Sequence, residues 1–119
     1  KVLPRTVLSE YHAAGAVCGA YMIRHKHWKY IHYATLPPML FDLNADPYER
    51  RDLGRDPAYQ AVIAECEQAL RQVVDPEAAD KLAKADQKAM IAKFGGEEAI
   101  LKRGTFRYSP PPGAKAAYY

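Results

Sequence analysis

The order of apolar and polar residues through the first 43 residues predicts four short β-strands, the last of them a buried apolar run that follows two prolines. The first strand is predicted in RTVLSEY (residues 5–11) and the fourth in MLFDL (39–43). Between them, AYMIRHKHWKYIHY (20–33) has two strand-like halves around His25, Lys26 and His27, which indicates a β-hairpin. HAAGAVCGA (12–20) is a run of small residues, where another segment or a ligand can approach the backbone closely.

The second half of this hairpin does not have one apolar and one polar face. Three residues share one face, namely Trp28, Tyr30 and His32, and three share the other, namely Lys29, Ile31 and Tyr33. Neither face is uniformly polar, so we expect both to be partly covered. The junction between sheet and helix is predicted to consist of Trp28, Tyr30, Phe41, Val62, Ile63 and Leu70.

After residue 56 the apolar residues recur at helical spacing instead. Asp56 is well placed as an N-cap and Pro57 as the first helical residue. The predicted apolar stripe of this main helix is Tyr59, Val62, Ile63, Cys66, Leu70 and Val73. The fold class predicted is therefore α+β, a four-stranded antiparallel sheet packed by one main helix in residues 1–74.

A helical extension is predicted over residues 75–104, followed by an extended tail over 105–119. The first extension helix begins at Asp75-Pro76 and ends at Gly95-Gly96, and a short one, EEAILKR, ends at Gly104. The stripe of the first is Ala79, Leu82, Ala85, Ala89, Met90 and Phe94. The tail, TFRYSPPPGAKAAYY, has no periodicity and reads as an extended arm. Its aromatic residues would need a partner surface, so we expect the tail to dock on one.

The segment DLNADPYERRDL (42–53) opens like a calcium-binding EF-hand loop, with oxygen-bearing residues at alternate positions. An EF-hand loop needs glycine at its sixth position and a bidentate glutamate at its twelfth, and here these are Pro47 and Leu53. Proline cannot adopt positive φ, and leucine offers no oxygen ligand. A turn from strand to helix, with Asp46 bonding its own backbone, is the favoured interpretation.

Length, charge and cysteine content limit the classes of protein to which the chain can belong. At 119 residues with a net charge of +3 and a pI near 8.9, the chain is one small, mildly basic domain. Its basic residues are scattered rather than gathered on one face, so neither a nucleic-acid partner nor a membrane is predicted. Cys18 and Cys66 lack C-x-x-C spacing, so reduced thiols are expected. The chain starts at Lys1 rather than methionine, which suggests a fragment or a processed product.

Candidate chemistry is sparse. His25 and His27 are interpreted as solvated turn residues, and His32 as a packed strand residue. Glu10 and His12 end a strand just before the small-residue run, a place suited to side chains that face a pocket. Ser9 neighbours them, but adjacent strand residues point to opposite faces, so no nucleophile–base pair is formed. Neither H-E-x-x-H, G-x-S-x-G nor a phosphate-binding glycine loop occurs.

Three stretches, SEYHAAG, YMIRHKHWKYIHY and PPMLFDLNADPYERRDL, together resemble the C-terminal subdomain of bacterial sulfatases. These belong to the alkaline-phosphatase-like superfamily, and the choline-sulfatase and phosphonate-monoester-hydrolase branch is most similar. The resemblance covers residues 5–60 and, more weakly, the tail. Asp46, Pro47 and Glu49 match the D-P-x-E of the family. Lys26 stands where members usually have glycine, so we expect either a strained left-handed backbone there or a turn of different shape.

The resemblance implies a fragment that is itself inactive. Sulfatases use a C-x-P-x-R or S-x-P-x-R motif, whose cysteine or serine becomes formylglycine, and neither motif occurs here. The divalent metal, calcium or manganese, and the formylglycine would lie in an N-terminal catalytic domain, the implied partner. Glu10 and His12 would then lie at the rim of the substrate pocket, and the tail would form a homo-oligomer contact.

Several alternatives stay open at this point. The parent enzyme is predicted to hydrolyse sulfuric esters, but a phosphonate or phosphodiester hydrolase of the same superfamily fits as well. A stand-alone structural or binding module is the other class. The expected compartment is the bacterial cytoplasm, with the periplasm left open.

Overall fold

The computed structural model describes residues 5–12, 15–104 and 112–115. Its four strands form one antiparallel sheet in chain order, which confirms the predicted α+β class. The strands are β1 (Val7–Tyr11), β2 (Ala20–His25), β3 (Trp28–Tyr33) and β4 (Met39–Asp42). Each strand pairs with its neighbour in sequence, so three short connections are enough to build the sheet.

The β2–β3 hairpin closes on a two-residue turn, with His25 paired to Trp28. Lys26 has a positive φ of 55°, which is uncommon for a residue other than glycine. A lysine with positive φ is strained, as the departure from glycine led us to expect. The Lys26 ammonium lies 2.5 Å from Oε1 of Glu65, an ion pair that fixes the turn to the helix below.

One helix covers one face of the sheet. Asp56 caps it by accepting from the N–H of Ala58, and the chain then makes one 3₁₀ turn over Pro57–Tyr59 before α1 (Gln60–Arg71). The buried residues of strands, loop and helix form one apolar cluster, namely Tyr21, Ile23, Tyr30, Leu40, Leu53, Cys66 and Leu70. Trp28, Val62 and Ile63 pack against its edge, as predicted.

Phe41 does not lie at this junction, contrary to expectation. It pairs with Lys29, whereas Leu40 pairs with Tyr30. Because side chains alternate along a strand, Leu40 faces α1 and Phe41 faces away from it. Both are buried, but only Leu40 belongs to the apolar cluster. The prediction failed because three consecutive apolar residues, Met39 to Phe41, show no alternation from which to tell the faces apart.

Val73 is also not part of the apolar stripe. Helix α1 ends at Arg71, and the N–H groups of Val73 and Val74 both turn back to the carbonyl of Leu70. This tightened end leaves Val73 about half exposed, at 52%. The stripe of the main helix therefore stops one turn earlier than the spacing predicted.

Two further helices follow, α2 (Pro76–Lys93) and α3 (Glu97–Arg103). Asp75 caps α2 by accepting from Ala78 N–H, and Gly95 and Gly96 end it with φ 96° and 92°. The apolar stripe predicted for α2 is largely uncovered, since Leu82, Met90 and Phe94 are exposed. The chain divides into two compact units, Lys1–Ala83 and Lys84–Tyr119. The predicted arm lies mostly outside the described residues.

The segment from Asp42 to Leu53 is a turn held by carboxylates, as interpreted. Oδ1 of Asp42 accepts from the N–H groups of Asn44 and Ala45 at 3.0 and 3.1 Å. Asp46 accepts from the N–H of Arg51 at 2.9 Å, and such backbone bonds hold the pKa of its carboxyl below the usual value. These oxygens bind backbone amides, which is what an Asx-type turn requires. No helix within the described ranges is long and apolar enough to cross a membrane.

Candidate functional site

Glu10 and His12 come together at one end of the sheet. Glu10 is the fourth residue of β1 and lies on the α1 side of the sheet, like its cross-strand partner Tyr21. His12 follows the strand, and its Nε2 lies 3.7 Å from Oε2 of Glu10. The His12 side chain is 25% exposed and the Glu10 side chain is 36% exposed, so both remain accessible. Ala13 and Ala14 lie outside the described residues.

Two residues that the sequence did not single out complete this corner. Tyr21 meets the His12 ring edge-on, with ring centroids 5.3 Å apart. Asp80, in the second turn of α2, is buried, and its Oδ1 accepts from the N–H of Gly19 at 2.7 Å. A Cβ on Gly19 would lie 2.8–3.0 Å from side-chain atoms of Tyr21, Asp80 and His12, so these side chains pack closely around the glycine. We call Glu10, His12, Gly19, Tyr21 and Asp80 the polar corner.

The Tyr21 hydroxyl is the neutral donor of the polar corner. Burial first, and then the charges of Asp80 and Glu10, raise the pKa of Tyr21 to about 12. The side chain is fully buried, and within the described part of the chain its hydroxyl has no hydrogen-bond partner. It therefore stays protonated at neutral pH and can donate a hydrogen bond.

A second polar group, which we call the Glu67 network, ties the sheet to both helices. Oε2 of Glu67 accepts from the Tyr30 hydroxyl and lies 3.1 Å from Nδ1 of His32. Arg71 donates to Glu67 at 2.8 Å and, through two nitrogens, to both oxygens of Glu77 at 2.8 Å. The pair of Arg71 with Glu77, in the first turn of α2, therefore has the bidentate geometry that makes arginine–carboxylate pairs specific.

The Glu67 network also sets protonation states. Burial would raise the pKa of the Glu67 carboxyl, but hydrogen bonds from Tyr30 and the neighbouring His32 and Arg71 lower it overall. Hydrogen bonds from Arg71 and the backbone lower the pKa of Glu77 to about 2. Both carboxyl groups are therefore ionised at neutral pH, and they hold His32 as a packed residue, as predicted.

The hairpin histidines are less solvated than predicted. His25 belongs to β2, contacts Thr6 and lies 2.9 Å from Oε1 of Glu65, with its side chain 21% exposed. His27 stacks on Trp28 with ring centroids 4.4 Å apart. The turn is shorter than the spacing of histidines suggested, so His25 falls within the strand and over α1. Neither residue approaches the polar corner, which lies at the other end of β2.

The polar corner can bind and orient a polar group, but the hydroxyl of Ser9 does not belong to it. Ser9 pairs with Met22 and so lies on the opposite face from Glu10. Both cysteines are buried thiols, and burial raises the pKa of Cys66 to about 11. Within the described ranges, no three His, Cys, Asp or Glu side chains gather as a metal site would require.

Sequence reasoning singled out Glu10 and His12 of the polar corner but neither Tyr21 nor Asp80. Glu10 and His12 were visible because they end a strand before small residues. Asp80 could not be found, because it comes 61 residues after Gly19 and only the packing of α2 brings them together. Tyr21 has the sequence pattern of an ordinary aromatic strand residue. The one feature that could have pointed to it is its position two residues after Gly19, at the end of the small-residue run.

Comparison with known proteins gives partial matches. No protein-family model matches the chain. PehA of Trinickia caryophylli, a multifunctional alkaline phosphatase superfamily protein, is 48% identical over 46 residues, which is 39% of this chain and 9% of PehA. Arylsulfatase K of Gallus gallus is 36% identical over 75 residues, 60% of this chain and 14% of the relative. The chain thus spans only 9–14% of the length of these curated relatives.

Two solved structures share the fold over a larger part of the chain. A sulfatase candidate from Bacteroides thetaiotaomicron superimposes with a TM-score of 0.54 at 30% sequence identity. A 2-O GAG sulfatase gives a TM-score of 0.53 at the same identity. Both comparisons cover 75% of this chain and 18% of the other chain.

Proposed function

Because sulfatases and other alkaline phosphatase superfamily proteins are homologous to part of this chain, we propose that it is the C-terminal subdomain of a sulfatase-like hydrolase. The observation that carries this proposal is the 75% structural overlap with two sulfatase folds at 30% identity. In this proposal the reaction belongs to the remainder of the polypeptide, since the chain matches only 18% of each of those chains. Formylglycine and a divalent metal, calcium or manganese, would be held there.

The proposed role of the chain is to complete the rim of the substrate pocket with Glu10 and His12. Support comes from the polar corner, where both side chains are partly exposed beside the buried donor Tyr21. Glu10 can meet a cationic substrate group, and His12 can donate to an ester oxygen. The competing role is structural, since the 3.7 Å contact lets the two residues satisfy each other.

Kinetics of the intact protein distinguish these roles. His12→Ala is expected to lower kcat/KM about tenfold, equivalent to about 1.4 kcal/mol of transition-state binding. His27→Ala, at the other end of the sheet, is the control and should leave kcat/KM unchanged. A loss of less than about twofold for His12→Ala would make the rim role wrong.

The reaction class is proposed as sulfuric ester hydrolysis, with phosphonate or phosphodiester hydrolysis as a second candidate. The second is favoured by PehA, the 48% identical relative, which is described as multifunctional. Assays of the intact protein with an aryl sulfate, an aryl phosphate diester and a phosphonate monoester separate the two classes. We propose the cytoplasm as the compartment and the tail as a homo-oligomer contact. Deletion after Gly104 should then lower the mass seen by light scattering.

A further inference from the structure

We infer that Asp80, in the second turn of α2, is a positioning residue that holds His12 in place at the proposed rim of the substrate pocket. The inference rests on the proposed function, in which His12 contacts the substrate. Asp80 itself does not reach the substrate, because its side chain is buried. It acts through the residues that border the imidazole, and it gives α2 a part in the site.

A buried carboxylate is an unusual way to attach a helix to a domain. The buried residues of α2 are Pro76 and Asp80, and Ala79 packs against the apolar cluster from the same two turns. Among the residues that the structure describes, Asp80 is the one charged residue that is buried. Burying a charge is costly unless hydrogen bonds compensate it, and apolar residues in such a place often stabilise a fold as well or better. Stability alone therefore does not account for an aspartate at this position.

The carboxylate of Asp80 fixes the peptide group of Gly19. Its Oδ1 accepts from the Gly19 N–H at 2.7 Å, while the Gly19 carbonyl accepts from the N–H of Ala34 at 3.0 Å. Residues 15–17, which come shortly before, are exposed. The chain that enters β2 is thus held at Gly19 from two directions, by α2 and by the residue that follows β3.

His12 packs against the same point of the chain. A Cβ on Gly19 would lie 3.0 Å from Oδ1 of Asp80 and 3.0 Å from Cε1 of His12, so these two atoms are at most twice this distance apart. Cε1 is bonded to both ring nitrogens, and one of them, Nε2, lies 3.7 Å from Oε2 of Glu10. The Tyr21 ring meets the imidazole edge-on, with ring centroids 5.3 Å apart. The imidazole is therefore bordered by several residues, and Asp80 is the one that α2 contributes.

The register of the sheet makes Gly19 the link between Asp80 and His12. Tyr11 pairs with Ala20, so the next residues outward, His12 and Gly19, lie opposite each other where β1 ends and β2 begins. Removing the carboxylate leaves the Gly19 N–H without its acceptor and releases the backbone against which the imidazole packs. The position of a catalytic or binding group matters strongly, since a misplacement of about 1 Å can lower a rate by about 100-fold.

Kinetics of the intact protein test the inference through a double-mutant cycle, with an aryl sulfate and an aryl phosphate diester as substrates. Asp80→Ala should lower kcat/KM about fivefold, less than the loss of about tenfold expected for His12→Ala, because His12 remains but is less well placed. In the double variant the loss should equal that of His12→Ala alone, since Asp80 acts only through His12. Asp80→Asn should stay within about twofold of the original protein, because its amide oxygen still accepts from Gly19.

Glu77→Gln is the matched control for loosening of α2. Glu77 also ties the start of α2 to the domain, but its partner Arg71 belongs to α1 and not to the polar corner. Weakening this ion pair should leave kcat/KM within about twofold of the original value. If Glu77→Gln lowered kcat/KM as much as Asp80→Ala, the loss would come from a loosened helix, and the inference would be overturned.

A spectroscopic readout follows His12 without any reaction. NMR of the 119-residue chain detects the Cε1–H signals of its four histidines, and the signal missing in His12→Ala belongs to His12. Asp80→Ala should move the His12 signal and leave those of His25 and His27, at the other end of β2, in place. Asp80→Leu, which fills the buried site but offers no acceptor, should do the same and guards against a fold weakened by the smaller alanine. An unchanged His12 signal in both variants would contradict the inference.

The outcomes separate the inference from the proposed function. If the effects of Asp80→Ala and His12→Ala multiply in the double variant, Asp80 acts independently of His12. The inference is then overturned, while the rim role of His12 stands. If His12→Ala itself costs less than about twofold in kcat/KM, the proposed rim role is wrong, and the role of Asp80 in the reaction falls with it.

Discussion

At the residue scale, one glycine holds the loop after β4 against the segment that precedes this strand. The N–H of Gly54 bonds Oδ1 of Asp52 at 2.8 Å, and the same oxygen accepts from Leu40 N–H at 3.0 Å. A Cβ on Gly54 would lie 2.2 Å from the carbonyl oxygen of Pro38. Backbone faces backbone here, so no side chain can rotate away to make room.

Gly54→Ala is therefore expected to destabilise the fold by about 3 kcal/mol, the upper end of the usual cost of overpacking. Urea unfolding followed by Trp28 fluorescence measures this, since Trp28 is the single tryptophan and packs at the edge of the core. Gly15→Ala is the control, because nothing lies within 4 Å of its Cβ and only its φ of +83° is unfavourable. That control should cost about 1–2 kcal/mol. Equal costs at the two positions would show that the close approach is absent.

Two buried tyrosines form a second matched pair. Tyr30→Phe removes a hydrogen bond to the ionised Glu67 and should cost about 1.5–3 kcal/mol. Tyr21→Phe removes a hydroxyl without a partner in the described ranges and should be near neutral, because no hydrogen bond is lost. The same unfolding assay compares both variants. A cost above about 1 kcal/mol for Tyr21→Phe would mean that its hydroxyl is bonded in solution.

At the scale of elements, the strand-like segments of the sequence predicted β1 and the tight β2–β3 hairpin, and the apolar run after two prolines predicted β4. The 3.6-residue period likewise predicted α1, and the caps placed its start. Faces were harder to assign. Phe41 was placed on the wrong side of the sheet because β4 is apolar at three consecutive positions. The apolar stripe of α2 is exposed, because the helical spacing of apolar residues predicts a helix but not the segment that packs against it. Contacts between distant segments, such as Gly19 with Asp80, leave no local signal at all.

The tie between α1 and α2 should weaken in acid. The folded-state pKa of Glu77 is lowered to about 2 from 4.5, so its contribution to stability is present above about pH 4.5 and is lost as the pH falls toward 2. Glu67 shifts in the same direction and adds to the effect. Tm measured between pH 6 and 2 should fall less steeply for Glu77→Gln than for the original chain. Glu98→Gln on α3 is the control, and an unchanged slope for Glu77→Gln would contradict the assignment.

At the scale of the whole molecule, the described residues form a small packed scaffold that carries a group of polar side chains. Its sheet and α1 form a core, and its polar corner offers binding groups. The homology to sulfatases was readable from motif order because D-P-x-E and its neighbours fix a particular turn. The substrate was not readable, since the residues that act on the ester are expected outside this chain.

Ester hydrolysis by the intact protein and by the isolated 119-residue chain, measured side by side, is the most direct test. Both are assayed with an aryl sulfate and an aryl phosphate, with Mn²⁺ or Ca²⁺ supplied. The intact protein should turn over at least one ester, and the isolated chain should show only background rates, because its sequence contains neither the C-x-P-x-R nor the S-x-P-x-R motif that supplies the nucleophile. Turnover by the isolated chain that is lost on mutating one of its own residues would contradict the proposed function.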